Sequence, residues 1–563
     1  MFHHRASHYL LLALVWAITS LPNLGDPLLW DIDEGLNATA AAEMLESGNF
    51  IVPTFNYQLR SAKPVLLYWL QCGAYQLLGV NELSARLPSA VAVLLTTWLV
   101  YELGRWMFDR LTAFLAGLIL VSCVSVQGAA HFANPDGLLL LFTTATIGFY
   151  WLAWQRASGW IVASAAAAAL AVLAKGPVGL LLPGAIVVLF LLWQRQLRRL
   201  FCPYLGEAIL VFLLLALPWY VWVSVETKGV WLREFWFTHH LQRAGRPMEN
   251  HSGSPLYYVG ILMVGLFPWV IFLGPTVWYA VRRSVTGSSS SETANGQQAA
   301  IRLLVCWFAV VFVFFSLMQT KLPNYILPLY PSLTLLTART LTDWLQGDYR
   351  LPVWVMPLAL GCLAISGIGV SLALLVVGGT ISTPLLRGHV FPELGAWTWL
   401  GAVPLMGAVV AAWMLGRGQR NGFVAAVAVT AVVFVSLVTG GALSAMNGYK
   451  ANAALAAALP EDQLRQDIRL GASAYFQPSI VFYCRREVRK VDVPESALEF
   501  LRRPLPAYLF VSEPQWRILE ARVPTGTVVL ARRPDLYSGR HILVVANPAA
   551  GSSLAAREQT SAR

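Results

Sequence analysis

Residues 138–154 read LLLLFTTATIGFYWLAW and contain no charged side chain. A helix needs roughly 20 predominantly apolar residues to cross the hydrocarbon core of a bilayer, which is about 30 Å thick. This stretch comes close to that length, with Asp136 just before it and Arg156 just after it. We therefore predict a membrane-spanning α-helix here, with charges at both ends.

Similar apolar windows recur along most of the chain. Of its 563 residues 57% are hydrophobic and only 12% are charged, a composition typical of a polytopic membrane protein and not of a soluble enzyme. Thirteen windows are predicted to span, near residues 8–23, 86–104, 111–128, 138–154, 160–174, 177–193, 204–225, 256–280, 302–319, 325–341, 352–378, 397–416 and 421–442. The predicted fold is an all-α polytopic bundle of about thirteen transmembrane helices.

The arginines predict the orientation of this bundle, because short cytoplasmic loops retain Lys and Arg. Those that fall on one side are Arg5, Arg105, Arg110, Arg156, Arg195, Arg198, Arg199, Arg282, Arg283, Arg302, Arg339, Arg350, Arg417 and Arg420. The net charge of +11 thus comes mainly from the basic residues of the predicted cytoplasmic loops, and a nucleic-acid partner is not expected. We predict a multi-pass protein of the bacterial inner membrane, with a cytoplasmic N-terminus and a periplasmic first loop over residues 23–85.

Hydrophobicity falls beyond residue 442, and the pattern changes. Strand-like runs cover 467–474, 479–483, 507–511, 527–531 and 541–545, and helix-like runs cover 495–502 and 513–521. We predict a transmembrane catalytic domain over 1–442, a small periplasmic α/β domain over 443–548 and a disordered tail over 549–563. The polar residues 284–300 are predicted to form a flexible cytoplasmic linker.

The first predicted periplasmic loop carries three acids in the sequence WDIDEG, residues 30–35. Carboxylates at a membrane boundary are costly to desolvate, so a function is expected for them. Apolar residues at helical spacing over 35–46 predict an amphipathic helix on the membrane surface that begins near Asp33 and Glu34. The two acids could be catalytic, or they could satisfy free amides and the helix dipole.

A further acid, Asp136, lies in the turn ANPDG, residues 133–137. Asn-Pro and Asp-Gly pairs form ordinary turns, so a structural role fits this carboxylate almost as well as a catalytic one. Its predicted location favours catalysis, because it shares a membrane face with Asp33, and two acids in one site can divide the proton-accepting and orienting roles. The catalytic candidates are Asp33, Asp136 and Glu34.

Cations are predicted on the same face. Each alone could anchor a helix in the lipid headgroups, but together they could hold a phosphate. The candidates for binding a donor phosphate are Lys63, Arg243, Lys321 and Tyr325. Further candidates, for substrate binding or for a structural role, are Arg246, His240, His251 and Lys175.

In this set of motifs the chain resembles the integral-membrane GT-C glycosyltransferases, in the branch that contains the aminoarabinose transferases of lipid A and the protein O-mannosyltransferases. The matching elements are Asp33-Glu34, Lys63-Pro64, Pro135-Asp136, Lys175-Gly176-Pro177, residues 237–243, residues 251–258 and KLPNYILP at 321–328, in this order. The resemblance implies a helical bundle of the GT-C type with two interfacial helices in the first loop. It also implies a polyprenyl-phosphate-linked sugar donor and a periplasmic active site.

The chemistry of such a transfer explains the residue types. A lipid phosphate leaves readily once fixed cations meet its developing negative charge. The acceptor hydroxyl must lose a proton as it attacks the anomeric carbon, and we predict Asp33 as the general base, with Asp136 orienting the acceptor or sharing the proton. One direct displacement predicts inversion at the anomeric carbon.

Several alternatives remain open at this level. The acceptor could be a lipid A-type glycolipid, another envelope glycolipid or a protein, and the sugar is not specified. A flippase or transporter would place ionisable residues near the bilayer midplane and show repeated halves, which the sequence lacks. An envelope ligase or polymerase would transfer a chain of sugars instead of a single sugar. No cofactor is specified, although the acids and histidines also allow a divalent metal.

Overall fold

The computed structural model describes residues 2–237, 253–285, 292–383, 390–460 and 467–550. Most of the chain in these ranges is helical. The first eleven α-helices are α1 (Phe2–Ser20), α2 (Asp33–Ser47), α3 (Leu66–Leu78), α4 (Glu82–Met107), α5 (Arg110–Val121), α6 (Val124–Ala130), α7 (Asp136–Gln155), α8 (Trp160–Lys175), α9 (Val178–Trp193), α10 (Leu205–Glu226) and α11 (Val230–Trp236). A short hairpin of β1 (Thr54–Phe55) and β2 (Gln58–Leu59) lies between α2 and α3.

The helices that follow belong mainly to the apolar part of the chain. They run over Tyr257–Gly265, Leu273–Val285, Glu292–Leu317, Tyr330–Gln346, Val355–Val377, Pro392–Gly395, Ala402–Gly416, Arg420–Leu437 and Ala451–Ala456, with a 3₁₀-helix at Pro323–Leu329. Within the described ranges, seven helices are long and apolar enough to cross a membrane, or up to nine if each of two sharply bent pairs is one span. The chain is therefore mostly helical and polytopic, and the count of thirteen spans stays a prediction.

Local sequence explains several helix boundaries. The Asn81 side chain accepts a hydrogen bond from the Ser84 amide at 3.0 Å, and the Ser84 hydroxyl accepts one from the Asn81 amide at 3.2 Å, which forms a capping box at the start of α4. Asp109 caps α5 in a similar way, through the Thr112 amide at 2.9 Å. Gly48 takes a left-handed φ of 67° and ends α2.

One large core joins the helices of the bundle. It contains buried residues of α1, α4, α5 and α7 together with those of Glu292–Leu317 and Tyr330–Gln346, and Trp151 and Trp307 are fully buried within it. Close helix contacts depend on small residues, as is usual in membranes. Gly179 of α9 lies directly on the backbone of Ala171 in α8, where no Cβ would fit. This contact makes a tight α8–α9 hairpin, with Lys175 at its bend.

The C-terminal part contains a five-stranded sheet in the order β4-β3-β5-β7-β6. Its strands are β3 (Arg469–Ser473), β4 (Val488–Lys490), β5 (Ala507–Ser512), β6 (Val528–Pro534) and β7 (His541–Ala546). β3 pairs in parallel with β4 and β5, whereas β7 is antiparallel to both β5 and β6. Helices Ser479–Cys484, Pro494–Leu501 and Glu513–Leu519 connect these strands.

Three local expectations were wrong. Residues 479–483 form a helix and not a strand: Pro478, with φ of −54°, precedes the first turn and has a conformation suited to a helix start. The stretch 284–300 is not a linker throughout, because a helix begins at Glu292 and continues into an apolar span. The polar residues at its start extend an existing helix, so they do not have to nucleate one of their own. The third concerns α2, which buries nine residues and is not an amphipathic surface helix. Helix Ser479–Cys484 covers it on one side and α3 on another.

Candidate functional site

Glu34 lies in a buried ion pair with Arg86 of α4. Arg86 donates from Nε to Glu34 Oε1 at 2.8 Å and from Nη2 to Oε2 at 2.7 Å, and both side chains are almost fully buried. The carboxylate also accepts hydrogen bonds from the backbone amides of Ala133, at 2.6 Å, and Trp30, at 2.8 Å. These four donors saturate Glu34. Its geometry is that of a residue that fixes the first loop to α4 and to the turn before α7.

Asp33 occupies the first position of α2, beside this pair. Its residue is half-buried, and among the described residues no side chain forms a hydrogen bond or ion pair with its carboxylate. The free amides of the first helical turn favour a negative charge at this position. Asp33 is therefore the acid of this cluster that remains available to a substrate.

Asp136 lies at the start of α7 and is only 3% exposed. Its carboxylate forms an ion pair with Lys175 at the end of α8 and accepts a hydrogen bond from the Asn324 side chain. The Lys175 ammonium also lies 5.0 Å from the centre of the Tyr325 ring. The structure thus brings together Asp136, Lys175 and Tyr325, which are far apart in the sequence, and adds Asn324 to them.

The two acidic positions are joined through the turn before α7. Glu34, next to Asp33, binds the Ala133 amide, and Asn37 of α2 donates to the Ala133 carbonyl oxygen at 3.1 Å. Ala133 is three residues from Asp136, so the start of α2 and the start of α7 lie at the same end of the bundle. Both helices therefore present their first turns to one region.

Lys321 has backbone partners. Its ammonium donates to the carbonyl oxygens of Phe315 at 3.0 Å and Ser316 at 2.6 Å, at the end of helix Glu292–Leu317. Cations stabilise the free carbonyls of a helix C-terminus, so this arrangement has a structural explanation. Burial lowers the pKa of Lys321. Its part in binding a phosphate stays a prediction.

The remaining predicted cations are described only in part. Lys63 is half-buried just before α3. Four candidates lie outside the described residues, namely His240, Arg243, Arg246 and His251. Within the described ranges, no cluster of three or more His, Cys, Asp and Glu residues has the arrangement of a metal site.

Three basic residues of this region were not among the sequence candidates. Arg86 binds Glu34; Arg60 is buried and donates to Asn37 Oδ1 at 3.1 Å; Lys450 lies 3.5 Å from the centre of the Trp30 ring. The signal for Arg86 was a charge at the edge of an apolar window. No comparable signal marks Lys450, because its partner lies more than four hundred residues away in the chain.

An apolar groove opens beside the Lys175 bend. Its volume is about 850 Å³, and its walls come from α8, α9, α10 and α11. Residues along it include Val172, Pro177, Leu180, Tyr220 and Trp236. Both Val172 and Pro177 lie within three residues of Lys175, so the polar cluster stands at one edge of a surface suited to a hydrocarbon chain.

The sequence and the fold were compared with those of known proteins. Residues 62–222 match the family model described as dolichyl-phosphate-mannose-protein mannosyltransferase. A relative from Proteus mirabilis, undecaprenyl phosphate-alpha-4-amino-4-deoxy-L-arabinose arabinosyl transferase 2, is 31% identical over 348 residues, which is 60% of this chain and 60% of the relative. The enzyme of that name from Edwardsiella ictaluri is 28% identical over 70% of this chain and 71% of its own length.

A solved structure is similar over nearly the whole chain. The crystal structure of ArnT from Cupriavidus metallidurans bound to undecaprenyl phosphate superimposes with a TM-score of 0.78 at 25% sequence identity, over 97% of this chain and 98% of that one. The match to the first two curated relatives is shorter and spans 60% and 58% of their lengths.

Proposed function

We propose that this chain is a glycosyltransferase of the GT-C type, like the aminoarabinose transferases that it resembles in sequence and fold, and that it transfers a sugar from a polyprenyl phosphate to a lipid A-type glycolipid. The donor is an undecaprenyl phosphate-linked sugar, as the names of the relatives suggest. A single observation carries the assignment: Asp33, an acid whose carboxylate has no side-chain partner among the described residues, lies at the same end of the bundle as the Asp136–Lys175 cluster, which borders an apolar groove.

The groove supports a lipid-linked donor. A polyprenyl chain is a branched hydrocarbon, and the walls of the groove are almost entirely apolar. Its phosphate would stand where the groove meets the Lys175 bend, with Lys63, Arg243 and Lys321 as its cations and Tyr325 as a hydrogen-bond donor. These cations would stabilise the charge that develops on the phosphate as the glycosidic bond breaks.

Asp33 is proposed as the general base. It removes the proton from the acceptor hydroxyl while that oxygen attacks the anomeric carbon and the polyprenyl phosphate leaves. Asp136, which already holds Lys175 and Asn324, would orient the acceptor or the cation beside the phosphate. The saturated Glu34 would act by positioning Asp33. A single displacement of this kind inverts the anomeric configuration.

The finer architecture is proposed on the same basis. Thirteen spans would place the N-terminus in the cytoplasm, and the first loop and the C-terminal α/β domain in the periplasm. A boundary near residue 442 is supported by the last long apolar helix, which gives way to the five-stranded sheet from β3 onward. The contact of Asp31 with Ser479 supports a common side for the first loop and this domain.

Two other functions remain as alternatives. A protein acceptor is compatible with the same fold, since the family model is that of a protein mannosyltransferase. A flippase for the lipid-linked sugar would bind the same donor without breaking its glycosidic bond. Only the first would release free polyprenyl phosphate, which distinguishes the two alternatives.

Replacement of Asp33 tests the proposal. Asp33→Asn in purified protein, supplied with an undecaprenyl phosphate-linked sugar and a lipid A acceptor, should lower the transfer rate about 10²- to 10⁴-fold, because a general base contributes that much. Asp26→Asn, an exposed position in the same loop, is the matched control and should keep full activity. An unchanged rate in Asp33→Asn would remove this acid from the mechanism, and a product with retained configuration would exclude a single displacement.

A further inference from the structure

A second pocket lies between α2 and the C-terminal sheet domain, away from the Lys175 groove. It has a volume of about 320 Å³. We call it the α2 pocket, and define it by Thr39, Glu43, Glu46, Tyr57, Arg485 and Arg486, which line it. Thr39, Glu43 and Glu46 are spaced at i, i+4 and i+7 on α2, so they form one stripe of the helix that faces Arg485 and Arg486.

Two of the residues that line this pocket each have a buried side-chain oxygen without a hydrogen-bond partner in the part of the chain that the structure describes. Thr39 and Glu43 are only 2% and 5% exposed, yet within the described structure Thr39 Oγ1 and Glu43 Oε1 make no hydrogen bond. The other carboxylate oxygen of Glu43 accepts hydrogen bonds from the Thr54 hydroxyl at 2.6 Å and the Tyr57 amide at 3.2 Å, which hold the side chain in place. A buried polar atom without a partner is costly, so a small rotation of either side chain toward the pocket would let a ligand supply the missing hydrogen bond.

The opposite wall carries positive charge. Arg485 donates from Nη2 to the Val80 carbonyl oxygen at 2.9 Å, and a guanidinium carries five N–H donors in all. Arg486 lies beside it and lines the same cavity. Paired guanidinium groups are well suited to a phosphate, whereas carboxylate and hydroxyl oxygens are suited to the hydroxyl or amino groups of a sugar.

We propose that the α2 pocket binds a phosphorylated sugar, with the phosphate on Arg485 and Arg486 and the sugar ring on Thr39 and Glu43. The inference rests on the proposed function and deepens it, because a phosphorylated glucosamine is part of a lipid A-type headgroup. Glu43 is ten residues from Asp33 on α2, or about 15 Å at the helical rise. A headgroup of more than one sugar can therefore occupy the pocket while another of its sugars reaches Asp33.

Thr39→Val separates binding from folding. Valine has nearly the shape of threonine, and the hydroxyl that it removes has no partner in the described structure. The variant should keep or raise the melting temperature, while its dissociation constant for glucosamine 1-phosphate should rise several-fold. A loss of stability together with unchanged binding would show that the hydroxyl serves the fold, and would overturn this part of the proposal.

Arg486→Gln tests the phosphate contact in the full chain. Its dissociation constant for glucosamine 1-phosphate should rise about tenfold or more, because a charged hydrogen bond is lost. Arg489→Gln, three residues further on, exposed and outside the pocket, is the matched control and should bind as the parent does. Glucosamine and inorganic phosphate should each bind more weakly than the joined molecule. Equal affinity in Arg486→Gln and Arg489→Gln would overturn the proposal.

Two further measurements distinguish a lipid A headgroup from a soluble sugar phosphate, and separate a failure of the pocket assignment from a failure of the proposed function. If the pocket serves the acceptor, nanodiscs that contain lipid A should compete with glucosamine 1-phosphate, and Arg486→Gln should raise KM for lipid A with little change in kcat. Binding without competition would assign the pocket to a soluble sugar phosphate. If the parent transfers sugar but KM is unchanged in Arg486→Gln, only the pocket assignment fails. Absence of transfer in the parent with intact binding would overturn the proposed function alone.

Discussion

The acid that begins α7 has its charge balanced within the bundle. Asp136 and Lys175 are 4% and 11% exposed as side chains, so both charges are largely removed from water. In such an environment each charge depends on its partner, because desolvation costs several kcal/mol for an ion that is left alone. The pair therefore fixes the α8 bend against the start of α7 whether or not it also touches substrate.

Lys175→Met should expose this dependence. We expect a loss of about 3 to 5 kcal/mol in the free energy of unfolding, because the buried Asp136 carboxylate is left without its cation. The measurement is denaturation in detergent, with Lys228→Met, at an exposed position, as the control. The double variant Asp136→Asn with Lys175→Met should recover part of the loss, and equal stability of parent and Lys175→Met would contradict the buried pair.

Helix α2 carries one acid of the candidate site and is held at both ends of its first turn. Arg86 fixes it to the bundle through Glu34, while Asp31, just before it, accepts hydrogen bonds from the Ser479 amide at 2.8 Å and the Asn452 side chain at 3.2 Å. The C-terminal part of the chain therefore takes part in placing Asp33. Gly35 lies so close to Asp31 and Ser479 that a Cβ would collide with both.

Asp31 should make the stability of this junction depend on pH. Burial raises the pKa of Asp31 to about 7, against hydrogen bonds from Ser479 and Asn452 that lower it. The unfolded value is about 3.9, so between about pH 4 and pH 7 only the folded protein keeps the proton, and this contribution to the free energy of unfolding falls as pH rises. Above about pH 7 both states have lost it.

Asp31→Asn removes this titration. Its melting temperature relative to the parent should therefore increase from pH 5 to pH 7.5 and then stay constant. Differential scanning fluorimetry over that range measures the difference, and Asp26→Asn should give a curve parallel to that of the parent. Parallel curves for Asp31→Asn and the parent would show that Asp31 is already charged in the folded protein at pH 5.

The whole molecule combines a helical membrane bundle with a sheet domain that packs on its first loop. The proposed transfer at the periplasmic face would require both to lie on the same side of the membrane. Cysteine labelling tests this topology in cells, in a background where Cys202 and Cys362, the cysteines of the described chain that are not buried, are replaced by serine.

Asn49→Cys in the first loop and Glu495→Cys in the sheet domain should react with a thiol reagent that reaches the periplasm but does not cross the inner membrane. Ala157→Cys, between α7 and α8, should react only after that membrane is permeabilised, because its loop carries Arg156 and is predicted to be cytoplasmic. All three positions are exposed in the folded chain. Labelling of Ala157→Cys in intact cells, or protection of the other two, would contradict the proposed orientation.

The class of protein, most of the helix positions and the residue types of the candidate site could be predicted from the sequence alone. Those features follow from local properties: apolar windows of membrane length, capping residues such as Asn81, and motifs within a few residues of each other. The resemblance to the family also rested on such motifs, and the similarity in fold and sequence confirmed it.

Which of these residues contact one another is visible only in the folded chain. The tertiary structure paired Glu34 with Arg86, placed Asn324 on Asp136 across 188 positions, and brought Ser479 to Asp31 across 448. It also showed a helix over residues 479–483, where the apolar run alone predicted a strand: this segment follows Pro478, whose conformation suits a helix start, and packs on α2. Residue spacing predicts contacts only within one helix or strand. The partner of a buried charge depends instead on how separate helices pack, because the pairing must compensate for the desolvation of both charges.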